Sequence, residues 1–91
     1  MSRVAIWRCE RCGRRSFPRR ELCPFCAERV FAPEHVDRGT ATETTSHRGV
    51  TVASVRVDAD LSLLARADGD VAAGSEVALH LDGGAPVATP A

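Results

Sequence analysis

Two pairs of cysteines near the start of the chain constrain its fold more than any other feature. The pairs are Cys9 with Cys12 and Cys23 with Cys26; ten residues separate them, and the chain has no other cysteine. A C-x2-C turn aims two thiolates and nearby backbone N–H groups at one point, and a second turn completes a tetrahedron around a soft cation. We therefore predict that all four cysteines ligate one metal ion.

Zinc is the ion that fits four thiolates at this spacing best, and iron is the alternative. Protein fills every tetrahedral position, so no position is left for an activated water, and we expect a structural metal. Neither a signal peptide nor a membrane-spanning apolar segment is recognisable, so we expect a reducing cytoplasm, where structural disulfides are rare. A redox C-x2-C site would need one pair on a strand-to-helix turn, whereas a duplicated pair favours shared coordination.

All four aromatic residues lie in the same part of the chain as the cysteines. They are Trp7, Phe17, Phe25 and Phe31. Together with the metal they can supply a small core, which predicts a zinc-ribbon domain over residues 1–31. We expect these side chains to pack over the cysteine turns, and a stacking platform for nucleic-acid bases is the alternative.

The formal net charge of zero conceals two oppositely charged segments. Residues 1–31 hold eight Arg and three Glu, a net charge of +5, and residues 32–91 hold four Arg and nine acidic residues, a net charge of −5. With four thiolates and Zn²⁺ the first segment would carry about +3, which favours an anionic partner at short range. Its densest basic cluster comprises Arg14, Arg15, Arg19 and Arg20. We predict that this cluster meets phosphate or carboxylate groups; the alternatives are a solvated loop or pairing with acids of the second segment.

From residue 32 onward, short alternating apolar segments are separated by turn residues. They predict five strands, over residues 39–45, 50–57, 61–65, 77–81 and 86–88, with a hairpin turn over residues 46–49. In the second strand the alternation slips by one residue at Val52 and Ala53, which predicts a bulge or burial on both faces. Five short strands at close spacing favour a small closed barrel over residues 32–91.

No catalytic residue is predicted. His35, His47 and His80 are far apart in the sequence, and no motif places a nucleophile or an orienting carboxylate beside any of them. Four aspartates between residues 58 and 70 lack the spacing of a calcium-binding loop and are interpreted as turn residues.

The order of segments along the chain resembles a known family. The segments that carry this resemblance are Trp7–Cys26, Gly39–Thr40, Val52–Asp58, Leu63–Ala65, Gly74–Val77 and Ala85–Val87. Together they resemble the zinc-ribbon and OB-fold proteins that are associated with acyl-CoA thiolase-like enzymes, over nearly the whole chain. The resemblance implies a mainly β protein, with an N-terminal rubredoxin-like zinc ribbon over residues 1–31 and a small five-stranded OB-fold barrel over residues 32–91.

The same resemblance implies a function. It indicates a non-catalytic scaffold subunit of an acyl-CoA thiolase- or ketosynthase-like complex, with structural zinc and a thiolase-fold partner, whose arginine cluster meets CoA phosphates or the partner's surface. A single-stranded nucleic-acid-binding protein is the alternative, but residues 32–91 are acidic and hold no Phe, Trp or Tyr for base stacking. A rubredoxin-like electron carrier, the third possibility, would require iron at the four thiolates. We expect no contact with a membrane.

Overall fold

The first part of the chain forms a small antiparallel sheet. The structure is a computed structural model that describes residues 3–91; residues 1 and 2, at the start of the predicted ribbon, lie outside the described range. No helix occurs within that range. Strands β1 (Val4–Cys9), β2 (Arg15–Ser16) and β3 (Phe31–Val36) pair in the order β2-β1-β3.

Strand β3 belongs to this sheet along its whole length. Its register with β1 runs from Phe31 opposite Cys9 to Val36 opposite Val4. The boundary predicted after residue 31 therefore falls at the beginning of a ribbon strand, and the ribbon sheet extends to Val36. The segment Phe31–Val36 includes Pro33 and shows no clean apolar alternation, so only its pairing with β1 defines it as a strand.

The remaining five strands form a closed barrel. They are β4 (Arg38–His47), β5 (Val50–Asp58), β6 (Leu61–Ala67), β7 (Glu76–Asp82) and β8 (Ala85–Pro90). Their order around the barrel is β4-β5-β6-β8-β7, and β7 closes it by pairing with the beginning of β4. All neighbours are antiparallel except β6 and β8. The mainly β fold class, with its cysteine-rich ribbon and five-stranded barrel, is confirmed.

The predicted hairpin turn joins β4 to β5. Arg48 and Gly49 both have positive φ, 53° and 78°. Two consecutive residues with positive φ are typical of the type I′ turn, whose twist matches that of the flanking strands. The turn predicted within residues 46–49 is therefore confirmed.

The slip in the apolar pattern of β5 has a different cause from either one predicted. The β5 bulge lies at Val57, where β5 pairs with β6, and a separate bulge on β4 lies at Thr42, opposite Ser54 and Val55. Ala53 is fully buried, but Val50 and Val52 point outward and are 49% and 37% exposed. The apolar residues from Ala53 onward face the core, whereas Val50 and Val52 lie on the opposite, exposed face of the strand.

One apolar core joins the ribbon to the barrel. Val4 and Ile6 of β1 belong to the same buried cluster as residues of the five barrel strands. The barrel members are small or branched: Ala41, Ala53, Val55, Leu63, Ala65, Val77, Leu79 and Ala88. Side chains of this size fill the interior of a narrow barrel without aromatic residues. The core thereby fixes the position of the cysteine turns relative to the barrel.

Candidate metal centre

The structure brings all four predicted ligands to one point. Their Sγ atoms lie within 4.8 Å of one another. The Cys9 and Cys26 sulfurs are 3.5 Å apart, and the Cys12 and Cys23 sulfurs are 3.6 Å apart. A tetrahedral zinc with Zn–S bonds of about 2.3 Å places its sulfurs about 3.8 Å apart. The sulfur cluster therefore has the size that a tetrahedral zinc site requires.

The two cysteine turns repeat the same backbone geometry. In each turn, the N–H of the fifth residue donates to the carbonyl of the first cysteine: Gly13 to Cys9 at 3.0 Å, and Ala27 to Cys23 at 2.8 Å. Both fifth residues have positive φ, 78° and 63° respectively. The N–H of each first cysteine in turn donates to the carbonyl five residues later, at 2.8 Å in both turns. Two equivalent turns, facing each other, present four sulfurs to one centre.

The ionisation of the thiols also favours a bound cation. A hydrogen bond from the Cys12 backbone N–H lowers the pKa of Cys9 to about 7, although desolvation opposes it. The Glu28 N–H acts in the same direction on Cys26, but desolvation and hydrogen bonds with the other three cysteines outweigh it and raise its pKa to about 12. One thiolate thus forms readily, whereas four thiolates together need a positive charge between them.

The donor set fits a structural zinc. Four thiolates fill the tetrahedron, so the protein leaves no open coordination position for substrate or water. Cys9 and Cys23 are buried, Cys26 is half-buried and Cys12 is exposed, so the centre lies at the surface of the ribbon. The cysteines therefore form the structural zinc centre of the ribbon.

The arginines of the basic cluster make different contacts. Arg15 binds two carboxylates, with its Nε 2.5 Å from Glu34 and its Nη1 2.6 Å from Asp58. Arg14 lies over the ring of Phe25 at 4.1 Å, and Arg19 lies over the ring of Trp7 at 5.0 Å.

Arg20 completes the cluster, and it makes no ion pair within residues 3–91. The contacts of Arg15 with Glu34 and Asp58 match one predicted alternative, in which the cluster pairs with acidic residues of the second segment. For the other three arginines, contact with a phosphate or carboxylate stays a prediction.

We predicted that all four aromatic residues pack over the cysteine turns, but not all of them do. Phe25 is 61% exposed, and its ring is covered on one side by Arg14. Phe17 packs against the core shared with the barrel. The expectation was wrong for Phe25, whose side chain faces outward from the second cysteine turn.

Sequence reasoning did not find the ion-pair network that connects the ribbon with the barrel. Glu34 on β3 accepts a hydrogen bond from Nε of Arg15 and also forms an ion pair with Arg8 at 3.4 Å. Nη1 of the same Arg15 forms an ion pair with Asp58 of the barrel. The hydrogen bond from Arg15 lowers the pKa of Glu34 despite desolvation. The opposite charges of the two segments were a signal for such contacts, but their positions depend on β3 joining the ribbon sheet.

A groove adjoins this network. It has a volume of about 620 Å³ and lies between β3 and the end of β5. His35 lines it, together with Arg15, Glu34 and Asp58. Both carboxylates are committed to Arg15, so neither is available as a base beside the histidine. His47 lies on β4 and His80 on β7, away from this groove.

Comparisons with known proteins agree with this architecture. Residues 3–32 match the model of the family described as ChsH2, rubredoxin-like zinc ribbon domain. The fold is similar to a chain of the solved Ltp2-ChsH2(DUF35) aldolase, with a TM-score of 0.73 and 21% sequence identity, over 97% of this chain and 84% of that chain. No curated protein matches the chain. The resemblance to zinc-ribbon and barrel proteins of this kind is confirmed, and the structural likeness extends it from the ribbon to the barrel.

Within residues 3–91, no helix is long and apolar enough to cross a membrane.

Proposed function

We propose that this chain is a non-catalytic accessory subunit of an acyl-CoA enzyme complex of the thiolase or ketosynthase type. One observation carries the proposal: ribbon and barrel together share their arrangement with a chain of the Ltp2-ChsH2(DUF35) aldolase over 97% of this chain. The match of residues 3–32 to the ChsH2 zinc-ribbon model supports it independently. The role of the chain would be to hold or stabilise a catalytic subunit.

Two structural assignments belong to this proposal. The barrel order β4-β5-β6-β8-β7, with its single parallel neighbour pair, supports an OB-fold. The division into a zinc ribbon over residues 1–31 and a barrel over residues 32–91 stays a proposal, in which β3 begins at the boundary but pairs with β1 of the ribbon up to Val36.

The chemistry of the chain supports a role without catalysis. Its zinc centre offers no open coordination position, and the carboxylates of the groove beside β3 are paired with Arg15. A nucleophile activated by an adjacent base is the usual basis of acyl transfer, and the three histidines lie on three different strands. A cytoplasmic location is part of the proposal, because cysteines that ligate a metal and form no disulfide are typical of a reducing compartment.

The ribbon offers a surface suited to a protein partner. We name it the ribbon face and define it by Arg14, Arg19, Arg20, Phe25 and Val30. Phe25 and Val30 are 61% and 59% exposed. Arg14 lies over the Phe25 ring, Arg20 lines a hollow with Phe25, and Arg19 lines another hollow with Arg20. An apolar centre with a charged rim is the usual composition of a protein interface, and its charge favours an acidic or CoA-bearing surface of the partner.

Co-purification from the source cells tests this proposal. The tagged wild-type chain should recover a thiolase-fold enzyme, identified by mass spectrometry. The double variant Arg14→Glu with Arg19→Glu should bind that enzyme roughly tenfold more weakly, because charge reversal at the rim opposes association. The matched control is Arg56→Glu with Arg66→Glu, which makes the same change of charge on the barrel, outside the ribbon face, and should bind as the wild type does.

The same preparation distinguishes the alternatives. The purified chain alone should not turn over acetyl-CoA or acetoacetyl-CoA, and turnover that is abolished by a point substitution in this chain would contradict the non-catalytic role. Recovery of single-stranded RNA or DNA in place of an enzyme, with binding that falls steeply as salt rises, would instead favour the nucleic-acid function.

A further inference from the structure

Part of the β4–β5 hairpin extends past the closed part of the barrel. We name residues 42–51 the arm. Strand β7 pairs with β4 only over Arg38–Thr40, and β6 begins to pair with β5 only at Val52. Between these limits, β4 and β5 pair with each other and with no other described strand. The arm is therefore a two-stranded hairpin. One of its edges, that of β4 from Thr42 to His47, is not paired with any other described strand.

The register of the arm shows which backbone groups face that open edge. In a hairpin with a two-residue turn, the residues that flank the turn, here His47 and Val50, form a hydrogen-bonded pair. Pairs then alternate along the strands, so Ser46 and Thr51 form a non-hydrogen-bonded pair, whose side chains lie closer together. Their hydroxyl oxygens are indeed 2.8 Å apart. The N–H and C=O groups of Thr44 and Ser46 consequently point outward from the open edge.

The sequence does little to protect this edge from pairing. Natural edge strands are commonly blocked by proline, lysine, inward charges or bulges. The segment Glu43–His47 has neither proline nor lysine, it contains two threonines, which favour strands, and the bulge at Thr42 lies at its base. All five side chains are exposed. The edge is therefore able to accept another extended strand.

The side chains of the edge are complementary to those of a second copy. We infer that two arms pair antiparallel, β4 against β4, about a twofold axis through Thr45. In this register Thr44 of one copy forms a hydrogen-bonded pair with Ser46 of the other, so the outward backbone groups of both arms find partners. Glu43 then lies directly opposite His47 of the second copy, twice by symmetry, and the carboxylate accepts a hydrogen bond from the imidazole.

The apolar residues of the arm lie beside this contact. Val50 and Val52 project on the same face as Thr45 and His47, and the four residues, with Arg48, line one shallow hollow. Pairing of two arms doubles this apolar face on a continuous four-stranded sheet. The contact itself is short, well below the roughly 1,200 Å² that stable interfaces bury. The dimer is therefore weak and depends on protein concentration.

Complementary charge swaps test the pairing and its register together. Sedimentation equilibrium of the wild type between micromolar and millimolar concentration should show a reversible monomer–dimer equilibrium. Glu43→Arg alone places Arg opposite His47, and His47→Glu alone places Glu opposite Glu43, so each variant should stay monomeric. In an equimolar mixture, the arginine introduced at position 43 of one variant lies opposite the glutamate introduced at position 47 of the other, and the remaining pair keeps His47 opposite Glu43, so the mixture should dimerise again. Circular dichroism checks that each variant is folded.

Several outcomes would overturn the inference. A wild type that is monomeric at millimolar concentration would do so, as would dimers that persist equally in both single variants and in the mixture. A monomeric wild type whose arm amides become protected from hydrogen exchange only when a different protein is added would assign the edge to a strand of that protein.

Discussion

At the scale of single residues, the two cysteine turns differ at one informative position. The fifth residue of each turn has positive φ, and it is Gly13 in the first turn but Ala27 in the second. The left-handed region costs a residue with a Cβ atom roughly 1–2 kcal/mol. Ala27 therefore stores strain that Gly13 avoids, although the backbone hydrogen bonds of the two turns are equivalent.

We predict that Ala27→Gly stabilises the zinc-loaded protein. Relief of the left-handed strain exceeds the added entropy of the unfolded chain, and the net gain should be about 0.5–1 kcal/mol. Thermal unfolding of the zinc-loaded protein measures it. Ala59→Gly is the matched control, because Ala59 is also in an exposed turn but does not have positive φ. Ala59→Gly should lower stability, and an equal loss in both variants would contradict the argument.

Residues whose role depends on short spacing could be predicted from the sequence, whereas residues whose role depends on the meeting of distant segments could not. The spacing of Cys9, Cys12, Cys23 and Cys26 was sufficient to predict the metal centre. The exposure of Phe25 and the pairing of Arg15 with Asp58, 43 residues later, depend on how the ribbon is placed on the barrel. Composition indicated opposite charges but not their partners.

At the scale of elements, the closure of the barrel brings β4 very close to β5 at Gly39. A Cβ atom at this position would lie 2.5 Å from Cγ1 of Val55 and 2.9 Å from the carbonyl oxygen of Arg56. The carbonyl belongs to the strand backbone, so it cannot move without disturbing the pairing of β4 and β5. The alternation of apolar residues predicted these strands, but it contains no signal for so close an approach.

Gly39→Ala should therefore destabilise the barrel by roughly 1–3 kcal/mol, which is the usual cost of overpacking. Urea unfolding followed by far-ultraviolet circular dichroism would measure the loss. Ser62→Ala, an exposed substitution on β6, is the control and should change stability by less than about 0.5 kcal/mol. Wild-type stability in Gly39→Ala would show that the strands have room to separate.

At the scale of the whole molecule, two kinds of contact join the ribbon to the barrel. Val4 and Ile6 share the apolar core of the barrel, and Arg15 binds Glu34 of the ribbon sheet and Asp58 of the barrel. A shared core predicts one cooperative transition. Unfolding followed by fluorescence of Trp7, in the ribbon, should coincide with unfolding followed by circular dichroism, which reports mainly the barrel. Separate midpoints would indicate that the ribbon and barrel unfold independently.

The ion-pair network gives stability a defined pH dependence. The hydrogen bond from Arg15 to Glu34 lowers the pKa of this carboxyl group below its ordinary value of 4.5. The ionised carboxylate therefore stabilises the fold, and this contribution is fully present above pH 4.5. This contribution is lost as pH falls through the lower pKa of the folded state. Glu34→Gln should thus cost about 1 kcal/mol or less at pH 7, because the pair is partly exposed, and the difference should vanish in more acidic solution.

Urea unfolding of the wild type and Glu34→Gln, from pH 7 down to below the pKa of Glu34 in the folded protein, measures the difference in stability. Glu21→Gln is the control, since Glu21 is exposed and makes no ion pair within residues 3–91. A Glu34→Gln deficit that is independent of pH would place its origin in packing rather than charge.

The central claim is that a zinc-bearing accessory subunit works in complex with an acyl-CoA enzyme. Native mass spectrometry of the assembly isolated from its source cells tests this most directly, because it reports partner mass, stoichiometry and metal together. The account predicts a complex with a thiolase-fold enzyme and one zinc ion for each copy of this chain. A chain found only free or bound to nucleic acid, or one that carries iron at its cysteines, would contradict it.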